Sequence, residues 1–442
     1  MTDGAFSPRY RVTTAGVFSL GFLIAFEALA VTTAMPLAAR DLHGEALYAL
    51  AFSAFAAASV IGTVVTGALS DRSGPVRPLL VGVAVFTVGL LVAGTAVTMP
   101  VLLLGRTLQG LGSGAIGTAL YVLVGRLYPE RMHPRVFALL AAAWVLPSLI
   151  GPFAAGATAT YASWHWVFLG IVPLVVAATA MLAPVLRGAP MPGTGAEVPS
   201  GRIAWSVVAA AALLAMRPVL DVPGVGPVLA VAAAVAAVLA LRPLVPIGAL
   251  RAARGLPSVI LARALFSAGF ASADAYLPYS LIALRDLPPT LAGGITTVGA
   301  VSWATASELQ SRLSTRLSDR ACVAIGAGAF LLGALIVGAV TVTTAPLPLL
   351  VVGWLLSGLG IGFAYPRLST ATLSLSVPEE RGRNSAALQI GDGFGNGLAL
   401  TAIAVVSALA PADGFAAAFG LAALLALLVA VVAPRVGVPL TR

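Results

Sequence analysis

Apolar residues arrive in this chain in long runs, separated by short stretches of arginine, proline and glycine. A helix needs about 20 such residues to cross the hydrocarbon of a bilayer. Six runs of that order come before residue 187, at about 14–38, 47–69, 78–98, 101–125, 136–159 and 166–186. Six more follow at about 256–284, 289–311, 320–343, 346–367, 384–410 and 413–434. Between the two sets, a polar Pro/Gly-rich stretch at 187–202 leads into two Ala/Val/Leu-rich runs at about 204–220 and 225–242. These runs lack the polar positions that a soluble or re-entrant hairpin needs, so the pattern predicts fourteen spans. The expected fold class is an all-α integral membrane protein in three parts. A six-helix bundle covers 1–186, a linker with two additional transmembrane helices covers 187–255, and a second six-helix bundle covers 256–442. The first run follows Arg9 and Arg11, as a signal peptide would. It is about twice as long as a signal h-region, contains Glu27 and is followed at once by further spans, so it is expected to be retained.

Composition sharpens this picture. The 442 residues are 59% hydrophobic and 9% charged, against about 25% charged in a soluble domain, so lipid is the main solvent. All 25 basic residues are arginine, which reads as coding bias. The net charge of +9 is spread over short loops and forms no continuous basic face, which argues against nucleic acid as a partner. With the N-terminus inside, twenty arginines fall in cytoplasmic segments and only Arg40, Arg217 and Arg285 fall outside. Positive charge held on the cytoplasmic side orients a bundle, and an even number of spans then puts both termini in the cytoplasm, beneath a bacterial cytoplasmic membrane.

Several function classes drop out. Cys322 is the single cysteine, which excludes an intrachain disulfide and a cysteine-rich metal site. His43, His133 and His165 lie far apart, in or beside loops, so no metal or other cofactor is expected. No nucleophile and base converge as an intramembrane enzyme would require, and no polar segment is long enough for the sensory domain of a receptor. A channel is disfavoured by an internal repeat. The segment GRTLQGLGSG, with Gly105, Gly110, Leu111, Gly112 and Gly114, returns 248 residues later as GWLLSGLGIG, with Gly353, Gly358, Leu359, Gly360 and Gly362. Each copy leads to a Pro-Glu loop, Pro129-Glu130-Arg131 and Pro378-Glu379-Glu380-Arg381. Leu69-Ser70-Asp71-Arg72 has a weaker echo in Leu313-Ser314-Thr315-Arg316. Two homologous halves place a site at their interface near the midplane, which is the pattern of carriers.

Where the second span meets the cytoplasm stands Gly67-Ala-Leu-Ser-Asp71-Arg72-Ser-Gly74-Pro-Val-Arg77. Its glycines permit close backbone approach, and Asp71, Arg72 and Arg77 can bridge helix ends through charge-assisted hydrogen bonds that hold one face shut. This loop resembles the signature loop of the major facilitator superfamily, G-x-L-(A/S)-D-R-x-G-x-(R/K)-x, and departs from it at Pro75 and Val76. Gly105-Arg106-Thr-Leu-Gln109-Gly110 is similar to that family's helix 4 motif, R-x-x-Q-G. Gly151-Pro152-Phe-Ala-Ala155-Gly156 resembles the G-P-x-x-G-G motif associated with antiport, with Ala155 in place of a glycine. Trp164-His165-Trp166-Val-Phe168, followed by Pro173, resembles the W-R-W-x-F start of helix 6 in drug exporters, with His165 replacing arginine. With fourteen spans, the resemblance points to the drug:proton antiporter branch. It implies two pseudo-symmetric six-helix bundles plus two extra central helices.

Charges inside the spans carry the expected chemistry. An ionised carboxylate at the bilayer centre costs several kcal/mol even on lenient scales, so Glu27, midway along the first span, must face a partner or hold a proton. Its place nine residues before Pro36 is similar to the branch's D-x-T-x-V-N-V-A-L-P motif, with glutamate for aspartate. The resemblance implies that Arg106 faces inward towards helix 1. Its approach would favour the ionised carboxylate, and its withdrawal the protonated one. Asp274, ahead of Tyr276 and Pro278, and Asp392, among Gly391, Gly393, Gly395 and Gly397, are the candidates in the second half for proton or substrate contacts. Glu308 stands one turn from Arg312 and is expected to form an i,i+4 pair, and Arg263 is expected to be a structural or gating charge. Phe22, Phe26, Trp144, Phe266, Phe270, Tyr276 and Trp303 are the aromatic residues that could line an apolar cavity. The expected function is proton-coupled export of hydrophobic, cationic drugs or toxic compounds by alternating access, performed by a monomer with no cofactor. The second reading is export of a specific metabolite, lipid or siderophore.

Overall fold

A computed structural model describes residue 7 and residues 10–129, 132–188, 200–313, 316–343, 345–377, 380–410 and 413–437. The repeated Pro-Glu pairs, Pro129 and Glu380 excepted, together with Ser314, Thr315 and linker residues 189–199, lie outside the described residues, as do Arg9 and Arg442. Every regular element among the described residues is a helix. The first six spans are α1 (Arg11–Asp41), α2 (Tyr48–Ser73), α3 (Val76–Gly94), α4 (Met99–Leu127), α5 (His133–Tyr161) and a broken sixth, α6 (His165–Leu169) with α7 (Ile171–Gly188). Then come α8 (Ser200–Ala215) and α9 (Gly226–Leu241), followed by α10 (Leu256–Arg285), α11 (Pro289–Arg312), α12 (Asp319–Val342), α13 (Leu347–Ser374), α14 (Arg381–Leu409) and α15 (Gly414–Val432). Proline in the first turn starts α4, α10, α11 and α13, where its missing N–H costs nothing and its fixed φ suits a helix. Ser318 caps α12 by accepting from the Ala321 amide at 3.2 Å.

Eleven described segments are long and apolar enough to cross a membrane. The 16 residues of α8 fall short of that length, while α5 and α11 have it at 29 and 24 residues. With α6 and α7 counted as one broken span, consecutive spans alternate direction, so α1 begins and α15 ends on one face, the terminal face.

The repeated glycines explain how each half is knitted together. In water-free surroundings helices associate by close packing, and small residues let their backbones touch. A Cβ at Gly110 would lie 2.1 Å from the Phe55 carbonyl oxygen, and one at Gly114 2.1 Å from that of Ser59, so this edge of α4 is pressed against α2. The alternate glycines turn the other way, Gly105 onto Ala93 and Gly112 onto Phe86 of α3. The second half does the same with its own copy: Gly358 and Gly362 meet the carbonyls of Gly299 and Trp303 in α11, and Gly353 and Gly360 meet α12. One ten-residue pattern thus specifies a three-helix contact twice.

The halves meet along two seams. On one, α5 crosses α11 so closely that a Cβ at Gly156 would lie 2.4 Å from the Pro289 carbonyl and one at Gly293 2.2 Å from that of Pro152. Thr290 adds a hydroxyl bond to Thr160 at 3.0 Å. On the other, α2 crosses α14 at Gly393 and Gly397. The α8–α9 hairpin covers this second seam: Ala209, Ala210 and Leu213 of α8 and Ala237 of α9 share one apolar cluster with Ala57 and Val60 of α2 and Ile390 and Phe394 of α14. Large exposed apolar side chains, among them Val228, Val231 and Val235 on α9, cover the outside of the bundle. That is the surface of a chain bathed in lipid.

Candidate functional site

Glu27 and Arg106 meet inside the first half. Arg106 Nη1 donates to Glu27 Oε1 and, at 2.7 Å, to Gln109 Oε1. Its Nε donates to the Ala51 carbonyl at 3.3 Å, and its guanidinium lies 4.5 Å from the centre of the Phe55 ring. Exposure is 0% for Glu27, 1% for Arg106 and 0% for Gln109. Glu27 Oε2 and Gln109 Nε2 are buried without a hydrogen-bond partner among the described residues. The pair joins α1 to α4, 79 positions apart in sequence. A carboxylate this deep is tolerable only beside a fixed counter-charge or as the neutral acid, and Arg106 stands in the place of that counter-charge.

The internal repeat, at its 248-residue spacing, places Trp354 where Arg106 stands in the first half, and puts Asp274 one position before the counterpart of Glu27. The substitution is structural mimicry: Trp354 Nε1 donates to the Thr296 carbonyl of α11 at 3.0 Å, the counterpart of the Arg106 bond to Ala51 in α2. An indole keeps the cross-helix bond and brings no charge. Asp274, 7% exposed, accordingly makes no ion pair or hydrogen bond among the described residues. Pro278 four residues on removes the amide that would satisfy the Asp274 carbonyl. The Tyr48 hydroxyl reaches from α2 to the Ala275 carbonyl beside it. Tyr48 also packs its ring on Tyr276 and Tyr279, at 5.4 and 4.4 Å between centroids, and Phe415 closes the group. This aromatic plug joins the halves on the face opposite the termini, where the α5–α11 contact also lies.

Arg263 holds Asp392 in the second half. Its Nε is 3.0 Å from both Asp392 oxygens and its Nη2 is 2.9 Å from Oδ2, while Nη1 donates to Ser369 Oγ at 2.7 Å and the Tyr365 carbonyl at 3.2 Å. The guanidinium lies over the Tyr365 ring at 3.3 Å. Tyr121 of α4, in the other half and 45% exposed, is within electrostatic reach of both charges. The sequence reading takes Asp392 as a proton or substrate contact and Arg263 as a structural or gating charge without pairing them, although the two lie at similar depth from the terminal face. Arg263→Lys is expected to lower the melting temperature by several degrees and to reduce transport several-fold. An ammonium cannot grip two carboxylate oxygens, Ser369 and the ring face together. Thermal unfolding in detergent and a transport assay check this.

The other expected residues are spread around these pairs. Phe270 stacks on Trp354 at 5.7 Å and meets Trp303 edge-on at 5.9 Å, beside Tyr365. Phe266 is buried against Phe330. Phe26 stacks on Phe22, Trp144 is 45% exposed on α5, and Tyr276 belongs to the plug. Asp71 and Arg72, in the last turn of α2, and Arg77, in the first turn of α3, are exposed at the terminal face, so the structure carries the expected loop residues on helix ends. Gly74 ends α2 at φ 86°, a left-handed conformation that favours glycine. Gly67 has only an ordinary contact to Thr118. Gly151 faces Phe26 of α1, and Pro152 and Gly156 face α11. Glu308 pairs with Arg312 at 2.8 Å on the exposed end of α11, as its spacing predicts. No cluster of three potential metal ligands occurs among the described residues.

Two repeated helical halves, buried ion pairs and a lipid-facing exterior define a carrier and not an enzyme. Residues 17–307 match the Major Facilitator Superfamily, and the chain belongs to that family. It is 31% identical over 398 residues to a probable multidrug-efflux transporter of Mycobacterium tuberculosis, covering 83% of this chain and 82% of the relative. It is also 25% identical to multidrug resistance protein 3 of Bacillus subtilis, covering 88% and 78%. Among solved structures, a POT family transporter in complex with 5-aminolevulinic acid has the same fold, with a TM-score of 0.73 at 14% identity over 96% of each chain.

Proposed function

We propose that this chain is a proton-coupled antiporter that exports hydrophobic, cationic drugs or toxic compounds across a bacterial cytoplasmic membrane, as a monomer working by alternating access. The observation that carries the reading is the fully buried Glu27–Arg106 pair between α1 and α4. The relatives' names support the substrate class. With both termini cytoplasmic, the Tyr48 plug and the α5–α11 contact shut the outer face, and Asp71, Arg72 and Arg77 are exposed on the cytoplasmic face. The bundles 1–186 and 256–442 rock about the two seams, and the α8–α9 pair crosses the membrane as two added spans. In the outward state α1 and α4 part and Glu27 takes a proton. In the inward state α1 brings Glu27 back to Arg106, the ionised carboxylate is favoured and the proton leaves to the cytoplasm. Asp274, with no cation of its own, offers a counter-charge to a lipophilic cation beside the aromatic surfaces of Tyr276, Phe270 and Trp303.

The test is proton-gradient-driven efflux of a panel of cationic and neutral dyes from vesicles. Wild type is expected to move cationic members only while the gradient stands, and Glu27→Gln to lose at least nine-tenths of that flux. Gradient-dependent efflux at the wild-type rate in Glu27→Gln would remove this carboxylate from the coupling, and preference for neutral dyes would remove the substrate class.

A further inference from the structure

Arg106 has one partner that can leave and three that travel with it. Glu27 belongs to α1. Gln109 is one turn along α4 from Arg106 itself, and Ala51 and Phe55 belong to α2, the helix locked to α4 at Gly110 and Gly114. The Gln109 side chain is itself fixed. It packs on α3 at Gly89, where a Cβ would come within 2.9 Å of its Cγ and 2.6 Å of its backbone nitrogen. We propose that Gln109 is the alternate acceptor that holds Arg106 in place when Glu27 is protonated, and so is a positioning residue for the coupling step.

This rests on the reading of Glu27 as the proton carrier. A guanidinium stays charged in a protein, and when the carboxylate beside it becomes neutral its strongest bond weakens. The proton has a place to add without breaking that bond first, because Glu27 Oε2 is buried and unengaged. On its arrival the pair passes from zero net charge to plus one. The guanidinium then carries that charge, with the Gln109 oxygen, the Ala51 carbonyl and the Phe55 ring as its shell. The neutral acid is free to move away with α1. The electrostatic partners of Glu27 and Arg106 are one another, with no other titratable or charged side chain acting on either among the described residues.

The experiment titrates the infrared band of the protonated carboxyl in purified, full-length protein, which needs no transported compound. Glu27→Gln identifies the Glu27 contribution by its loss. Gln109→Leu and Gln109→Met, which remove the alternate acceptor, are expected to move that band's midpoint to lower pH, a proton affinity weakened about tenfold per pH unit. Gln109→Glu, which offers Arg106 a second anion, is expected to move it to higher pH, with the Glu27→Gln/Gln109→Glu double variant subtracting the new carboxyl. A residue that merely packs would not move the midpoint in opposite directions. Midpoints in Gln109→Leu and Gln109→Met that stay at the wild-type value or move to higher pH overturn the proposal whatever Gln109→Glu does, since a new carboxylate raises the midpoint by repulsion alone. Should Glu27→Gln remove no titrating band, it is the proton-carrier reading that falls.

Discussion

Arg106→Ala is expected to stop gradient-driven transport and to destabilise the protein together, while the double variant Glu27→Leu/Arg106→Met recovers stability without transport. Removing one member of a buried ion pair strands the other, at a cost of about 3–5 kcal/mol. Here the stranded group is a carboxylate at 0% exposure. Replacing both members by apolar side chains of similar volume removes the desolvation cost and the attraction at once, and such swaps are neutral or stabilising. If the pair were a structural staple, the double variant would restore transport as well as melting temperature. If it is the coupling centre, the melting temperature returns and the flux stays below one-tenth of wild type. Thermal unfolding in detergent and efflux from vesicles, run on the same preparations, separate the two. A double variant that transports under a proton gradient at the wild-type rate would show that the charges serve only the fold.

Much of this architecture is legible because membrane helices obey a severe constraint. Lipid leaves backbone groups no partner but their own helix, so run length and arginine punctuation locate nearly every element, and the repeat GRTLQGLGSG/GWLLSGLGIG pairs the halves. The Glu27–Arg106 contact was expected in part from the depth of Glu27 in its span and in part from the resemblance of Gly105-Arg106-Thr-Leu-Gln109-Gly110 to the R-x-x-Q-G motif, which implies an arginine facing helix 1. The Arg263–Asp392 pair was not, because it depends on the rotation of α10 and α14 about their own axes. Neither run carries a strong apolar stripe to set that phase. The usable signal was depth: Arg263 and Asp392 lie 7 and 11 residues from the starts of helices that begin on the same face, about 10 and 16 Å at 1.5 Å per residue. Trp354 was hidden differently. The repeat aligns it with Arg106, yet a tryptophan gives no hint that its N–H repeats an arginine's bond to the neighbouring helix.

The glycines allow one steric change to be made in two kinds of place, with opposite expected outcomes. Gly110→Val and Gly358→Val put a Cβ 2.1 Å from a carbonyl oxygen inside one half, with backbone on both sides and no side chain that can yield. Overpacking costs about 1–3 kcal/mol where neighbours can adjust and more where they cannot, so both variants are expected to express poorly and to melt far below wild type. Gly156→Leu and Gly293→Leu make an equally close clash, at 2.4 and 2.2 Å, but between the halves. There α5 and α11 can part without disturbing either core. These two variants are expected to fold and melt near wild type, to lose most transport, and to populate the state in which this seam is open. A Thr290→Cys reporter in a Cys322→Ala background reads that population in purified protein. Thr290 bonds Thr160 across the closed seam, so maleimide labelling of the cysteine should rise several-fold when Gly156→Leu is added. Labelling that stays at the reporter's basal rate, with transport intact, would mean that α5 and α11 do not separate during the cycle and that the halves move about the α2–α14 seam alone.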